Sequence, residues 1–223
     1  MFGLNQPRRF DLVVFDWDGT LMDSTGMIAR SIQRAFDDIG LPVPSEQQAR
    51  YVIGYGMFEA MAHLLPDADE AQIRRLIDAY RGHFLAQDQE LKLYDGVEEG
   101  LARLRDAGFR MAVATGKSRV GLDRVLQATQ LNHFFEVTRT ADEAFSKPHP
   151  AMLEYILGYS AVEPERALMV GDTSHDLQLA LNAGTASVGL TYGAHEENAL
   201  QDLQALALFD EFALLIDWII AHG

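Results

Sequence analysis

Three short apolar runs in the chain end in side chains able to do chemistry. Leu12-Val13-Val14-Phe15 is followed by Asp16 and Asp18, then Gly19-Thr20. Met111-Ala112-Val113-Ala114 leads into Thr115-Gly116-Lys117, and Ala167-Leu168-Met169-Val170 into Gly171-Asp172, with Asp176 opening the stretch beyond. A further candidate, Lys147-Pro148, stands just ahead of a helical pattern. If the runs are parallel strands of one sheet, the groups after them gather in a single cleft at its carboxyl edge. Four carboxylates, one hydroxyl and one ammonium would then converge. Carboxylates that close repel one another, so some stay protonated or a cation holds them. Oxygen ligands without His or Cys partners favour Mg2+, which keeps several waters and prefers sites shared with phosphate. Lys147 adds a second positive charge, and Thr115 with the N–H groups about Gly116, at a helix start, suits anion oxygens. The combination describes phosphoryl transfer: a carboxylate nucleophile, a metal, a lysine and a hydroxyl around a phosphate. Within the pair Asp16 and Asp18, one carboxylate attacks phosphorus to give an aspartyl-phosphate. The other protonates the leaving alkoxide and then deprotonates water. That acid needs a pKa raised toward neutrality, which burial and nearby negative charge provide.

The elements that must position these groups follow from pattern. Short apolar runs rich in Val and Phe, without polar alternation, read as buried parallel strands. After the first, Ser24 is expected to cap a helix whose stripe is Met27, Ile28, Ile32, Ala35, Phe36 and Ile39, ended by Gly40 and Pro42. Helical patterns continue over 57–65 and from Asp69, where Ile73, Leu76, Ile77, Tyr80 and Phe84 mark one face. No strand is expected between Asp23 and Leu93. The chain thus reads as a helical subdomain, 23–92, inserted into a core made of 1–22 and 93–223.

From Tyr94 onward helix and strand alternate. Val97, Leu101 and Leu104 line a helix with Glu98 and Glu99 in its first turn and Arg103 and Arg105 near its end, matching the helix dipole. A strand is expected around 135–137 and another at Ser187-Val188-Gly189-Leu190. Helices carry Leu122, Val125 and Leu126, then Met152, Leu153, Ile156 and Leu157, then Leu177, Ala180 and Leu181. A terminal helix is lined by Leu214, Leu215, Trp218 and Ile219, with the Trp218 stripe expected to pack on the sheet. Repeated strand–helix units predict an α/β fold, a doubly wound, Rossmann-like parallel sheet with helices on both faces.

Asp16-Trp17-Asp18-Gly19-Thr20 resembles the first signature of the haloacid dehalogenase superfamily in its phosphatase branch. Thr115 matches the second signature, Lys147-Pro148 the third, and Gly171-Asp172-Thr173-Ser174-His175-Asp176 the fourth. The order, the strand context and the inserted helices agree over nearly the whole chain. The likeness is greatest to the phosphoglycolate phosphatase-like group with a helical cap. The resemblance implies Asp16 as nucleophile and Mg2+ ligand, and Asp18 as acid/base, its backbone carbonyl also on the metal. It implies Thr115, Gly116 and Lys147 at the phosphate, Lys147 also steadying Asp16. Asp172 would bind the metal directly and Asp176 would position its ligands or waters. Two positions depart from the pattern: Gly116 stands where many of these phosphatases have Asn, and Asp95 where Pro is common before Gly96. Hinges are expected at 22–24 and 93–96. The substrate implied is a small phosphorylated metabolite, 2-phosphoglycolate being the best single choice.

Composition sets the limits. The 223 residues include 18 Lys+Arg, 33 Asp+Glu and no Cys, for a net charge of −15. A cysteine nucleophile, a disulfide framework and Cys-ligated metal centres are excluded. The negative charge argues against nucleic acid as a partner. Residues 1–10 lack the apolar stretch of a signal peptide, and 209–221 is too short and too acidic to span a bilayer, so a cytoplasmic protein with no membrane partner is expected. Oligomeric state is not readable. An acidic protein that attracts an anion must do so locally, through metal, Lys147 and helix N-termini.

Lone features read more plainly. His149 and His175 are expected beside the site but not as ligands. Gly54-Tyr55-Gly56 lacks the strand of a dinucleotide loop and reads as a turn of the helical subdomain, with a position facing the substrate as the alternative. Met57, Phe58 and Met61 are expected in that subdomain's core. Rival functions are a sugar phosphomutase with the same intermediate, a dehalogenase, a non-catalytic binding protein on the same fold and a receiver-type signalling domain. The dehalogenase is disfavoured by Asp18 and Gly19-Thr20, the binding protein by the intact set of carboxylates, and the receiver by the helical insertion.

Overall fold

The computed structural model describes residues 8–87 and 91–223. The part of the N-terminal reading that rests on 1–7, and the end of the helical segment at 88–90, lie outside the described residues. Leu12–Phe15 (β1) has all four side chains buried. Val13 and Phe15 join the hydrophobic cluster on one face of the sheet, and Leu12 and Val14 join the cluster on the other. Burial on both faces is why this strand shows no polar alternation. The other strands are β2 (Arg110–Thr115), β3 (Val137–Thr140), β4 (Ala167–Gly171), β5 (Ala186–Leu190) and β6 (Leu208–Phe209). They form one parallel sheet in the order β3-β2-β1-β4-β5-β6. The strand order reverses at β1, so a crevice opens at the carboxyl ends of β1, β2 and β4.

Helices α5 (Val97–Asp106), α6 (Arg119–Thr129) and α10 (Phe212–His222) cover the Val13 and Phe15 face. Helices α7 (Ala151–Ser160) and α8 (Ser174–Ala183) cover the other, and α9 (Glu197–Gln201) is short. Between β1 and α5 stand α1 (Thr25–Asp38), α2 (Glu46–Tyr51), α3 (Met57–Leu64) and α4 (Glu70–Leu85). They pack round a cluster of their own that includes Ile32, Phe36, Met61, Ile73, Leu76 and Phe84. The two chain passages between this bundle and the sheet run side by side. Asp23 N–H donates to the Lys92 carbonyl at 2.9 Å, and Tyr94 N–H to the Leu21 carbonyl at 3.0 Å.

Several expectations need correction. The third strand begins at Val137 rather than 135, because Phe135 follows a 3-10 turn over Leu131–Phe134. This is an edge strand with mostly half-buried side chains, Thr138 and Arg139 among them, so it offers no apolar run to locate it. Strand β6 was not anticipated: it is two residues long, and it takes Phe209 out of the terminal apolar segment. Helix α10 buries Phe212, Leu215, Ile216 and Ile219, while Leu214 is 47% exposed. Trp218 is partly buried and packs on Phe209. Leu181 is likewise exposed on α8 rather than packed in its stripe. In the inserted bundle Met61 is buried and Met57 packs at the cluster's margin, but Phe58 is exposed. Helix α2 also went unforeseen, although Ser45 and Gln48 form a capping box at its start. Among the described residues no helix is long and apolar enough to cross a membrane.

Candidate active site

Asp16 is the first residue after β1, and its N–H donates to the Val170 carbonyl at 2.9 Å, which ties it to the neighbouring strand β4. Asp172 follows β4 directly, and Asp176 lies in the first turn of α8. One oxygen from each of these three carboxylates falls within 4.8 Å of the others, and all three residues are buried. Their supports differ. Asp172 Oδ1 accepts from Thr20 Oγ1 at 2.8 Å and Oδ2 from the Ala194 N–H at 2.7 Å. Asp176 Oδ2 accepts from Thr173 N–H and Oγ1, at 3.0 and 2.7 Å, closing a capping box on α8. Asp16 has neither kind of support. Lys147 Nζ stands 2.9 Å from its Oδ1, near enough for charge attraction, yet both buried Asp16 oxygens lack an aligned hydrogen-bond donor.

Gly19 shows how closely the chain wraps Asp172. Its φ of +81° is left-handed, and a Cβ there would fall 2.1 Å from Asp172 Oδ2. Only glycine satisfies both conditions.

Lys147 is sealed between two acids, 2.9 Å from Asp16 Oδ1 and 2.6 Å from Asp176 Oδ1. The Lys147–Pro148 peptide is cis. Burial works against the Lys147 charge, but Asp16 and Asp176 outweigh it and hold the ammonium at about 12. Burial pushes the Asp16 carboxyl up to about 7, against the pull of Lys147 and with the help of Asp176. Burial, then Asp176 and Asp16, push Asp172 well above the usual carboxylate range. Such a cluster is short of positive charge: four aspartates at the crevice face two lysines. A divalent cation fits this oxygen set, and the Asp16 oxygens without donors are the atoms it would satisfy.

Of the four carboxylates expected at the crevice, three form the tight cluster and Asp18 stands beside it. The Asp18 side chain turns to a separate place, where its Oδ1 accepts from Ser24 Oγ at 2.6 Å and pairs with Lys117 Nζ at 3.0 Å. Ser24 holds the expected N-cap position of α1, but its side chain makes no cap bond and goes to Asp18 instead. Thr115 ends β2 fully buried, and its Oγ1 accepts from the Lys117 N–H at 3.2 Å. Gly116 lies beneath the turn at 54–56: a Cβ on it would meet the Tyr55 carbonyl oxygen at 2.4 Å and that of Gly54 at 2.7 Å. That turn therefore faces the candidate phosphate loop, and the absence of the Asn found in the resembling phosphatases has a steric reason here.

Sequence reasoning named Lys117 and Thr20 beside the strands without giving either a role, and it missed the Asp18 bond of Ser24. It also missed His195, which joins His175 at the seam between bundle and sheet. The Tyr51 carbonyl accepts from His175 Nε2 at 2.7 Å and from His195 Nε2 at 3.0 Å. Ser174 N–H donates to His195 Nδ1 at 3.0 Å, which fixes the His195 tautomer. Burial pushes His175 down to about 4, so both rings are neutral donors near pH 7. His149 accepts from the Ala151 N–H and touches no carboxylate of the cluster. Two histidines on one carbonyl could not have been read from spacing, since Tyr51 is far from both in the chain.

A doubly wound sheet with an acidic crevice at its switch point and helices inserted after the first strand defines a class of hydrolases. The chain belongs to the haloacid dehalogenase-like hydrolase family, whose pattern matches residues 13–190. Within it the protein is a phosphatase, a phosphoric monoester hydrolase. A probable phosphatase IndB of Dickeya dadantii is 34% identical, over 92% of this chain and 91% of that one. A phosphoglycolate phosphatase of Aliivibrio fischeri is 32% identical, over 92% and 94%. The solved structure of a predicted phosphoglycolate phosphatase from Haemophilus somnus superposes with a TM-score of 0.83 at 29% identity, covering 95% of this chain and 99% of that one.

Proposed function

We propose that this chain hydrolyses small phosphomonoesters, 2-phosphoglycolate first among them, through an aspartyl-phosphate on Asp16 and with Mg2+ as cofactor. The observation that carries the reading is the unequal support of the acids. Asp16 alone among the three clustered carboxylates has no aligned hydrogen-bond donor, and Asp18 is held apart from the cluster. A free carboxylate suits a nucleophile, and a separately held one suits an acid/base.

In the first step an Asp16 oxygen bonds to phosphorus, the phosphorus–alcohol bond breaks, and Asp18 gives its proton to the departing oxygen. In the second, Asp18 takes a proton from water, whose oxygen displaces Asp16 from phosphorus and leaves inorganic phosphate. Thr115, the Gly116 N–H and Lys147 hold the phosphate oxygens meanwhile. Mg2+ held by Asp16, the Asp18 carbonyl, Asp172 and Asp176 would neutralise charge at the phosphate. The sheet with its own helices, 1–22 and 93–223, is the core, and 23–92 a cap that opens for substrate about 22–24 and 93–96. Support for the substrate comes from relatives named phosphoglycolate phosphatase.

The test is incubation with 2-phosphoglycolate and with a hexose 1-phosphate, with and without Mg2+. Release of inorganic phosphate that needs the metal is expected. Isomerised ester without free phosphate would replace the reading with a mutase.

A further inference from the structure

Two ammonium groups face the acidic cleft, and only one is fully committed. Lys147 touches both Asp16 and Asp176. Lys117 touches one carboxylate, with its Nζ 3.0 Å from Asp18 Oδ1, and lies 5.1 Å from the centre of the Phe84 ring on α4. An ammonium has three N–H donors, and a single carboxylate leaves some of them to spare. The Lys117 side chain is only 9% exposed, so those donors sit where water cannot easily serve them. Arg50, a cation on the bundle, is more exposed and already holds Glu46 and the Thr25 hydroxyl.

The place of Lys117 relative to the reaction follows from Asp18. Ser24 and Lys117 both sit on Oδ1, so Oδ2 is the oxygen left to exchange a proton with the departing alcohol. The ammonium therefore stands on the alcohol side of the site. With Nζ 3.0 Å from Oδ1 and the leaving oxygen one hydrogen bond from Oδ2, the two are at most about 8 Å apart and closer when both approach the carboxylate from the same side. An anion on the carbon next to the ester oxygen reaches that position. The Phe84 ring beside the ammonium is itself fixed, buried and stacked on Tyr80.

We propose that Lys117 determines specificity by binding a carboxylate on the carbon adjacent to the ester oxygen, so that the enzyme selects 2-phosphooxy carboxylates over esters of uncharged alcohols. The proposal rests on the phosphatase reading above. It goes further in assigning the choice of alcohol to one residue that no signature of the family resemblance included.

The test compares kcat/KM in the full chain with Mg2+ on three esters: 2-phosphoglycolate, ethyl phosphate and ethane-1,2-diol bisphosphate. The wild type is expected to prefer 2-phosphoglycolate. Lys117→Met is expected to shrink the preference over ethyl phosphate about 10- to 100-fold, mostly through KM, the worth of one charge-assisted hydrogen bond. Lys117→Arg, which keeps the charge, should retain most of it, and glycolate should inhibit the wild type more than Lys117→Met. The ratio is taken within one preparation, so partial unfolding of a variant cancels. Equal slowing of both esters by Lys117→Met would overturn the proposal, since Lys117 would then act through Asp18 alone. A wild type that prefers ethyl phosphate or the bisphosphate would overturn it while leaving the phosphatase reading intact. No phosphate from any ester would bring down both.

Discussion

At the carboxyl edge of the sheet the core supplies side chains. Asp16 and Asp172 follow strand ends, Asp176 opens a helix, Lys147 lies in the loop before α7, and none is more than 2% exposed. The inserted bundle meets the same place mostly with backbone. It offers the carbonyls of Tyr51, Gly54 and Tyr55, the Gly56 N–H on Ser146 Oγ at 2.7 Å, and the Phe84 ring near Lys117. The difference teaches how labour is divided. Groups that make and break bonds must be fixed against one another, and a parallel sheet fixes them through strand register. Groups that enclose the substrate need shape and the freedom to leave, which a bundle seated through main-chain contacts can combine.

If that division holds, damage on the two sides should differ in kind. The largest effect belongs to the core. Asp16→Asn removes the attacking oxygen while keeping the fold, and turnover of 2-phosphoglycolate should fall at least about a thousandfold, the scale seen when a covalent nucleophile is lost. Steady-state phosphate release measures it, and near-normal turnover would end the aspartyl-phosphate reading. On the bundle side the sharpest probe is Gly116→Ala. Its methyl would press on the carbonyl oxygens of Gly54 and Tyr55, which are backbone and cannot swing aside. The turn at 54–56 would be held off the phosphate loop. A displacement of that order is expected to cost about a hundredfold in kcat/KM with the thermal midpoint little changed. If Gly116→Ala were as active as wild type, the seating of the turn on this loop would not be needed for catalysis.

The same contrast explains what could be read from the sequence. Asp16, Thr115, Lys147, Asp172 and Asp176 were legible because each is a chemically capable residue after an apolar run or before a helix. The sheet was legible because burial on both faces leaves unbroken runs such as Leu12–Phe15. Ser24 was legible as the N-cap position of α1, but only the position of Asp18 in space shows where its hydroxyl bonds. Lys117 was passed over because a lysine after a glycine turn is usually solvated. Its burial depends on Phe84, a residue of the inserted bundle. The seam of Tyr51 with His175 and His195 has no local signature at all, since a carbonyl carries no residue type. Strands β3 and β6 escaped for a related reason: at the sheet's edges, half-exposed positions do not need apolar side chains.

The smallest expected effect is also the most discriminating, because core and seam respond to pH with opposite sign. The Asp16 carboxyl, raised from 3.8 to about 7 in the folded metal-free chain, favours folding while protonated. Its contribution is full below 3.8 and is lost as pH rises through about 7. His175, lowered from 6.5 to about 4, favours folding while neutral, so its contribution is full above 6.5 and is lost as pH falls through about 4. At roughly 1.4 kcal/mol per pKa unit, the Asp16 shift is worth up to about 4 kcal/mol and the His175 shift up to about 3 kcal/mol. Asp172 is raised like Asp16 and His195 lowered like His175, so where the windows overlap the cluster and the seam oppose each other in the pH dependence of thermal unfolding of the wild type in EDTA. Relative to the wild type, Asp16→Asn should shift the slope toward a midpoint that falls as the solution is acidified from 6.5 toward 4. His175→Gln should shift it the other way, toward a midpoint that rises as pH drops from about 7 toward 3.8. Mg2+ should make the wild type behave like Asp16→Asn, because a bound cation keeps Asp16 ionised, and the stabilisation it gives should grow with pH. Changes of slope of the same sign in both variants, each measured against the wild type, would break the comparison, since core and seam would then not respond to pH in opposite directions.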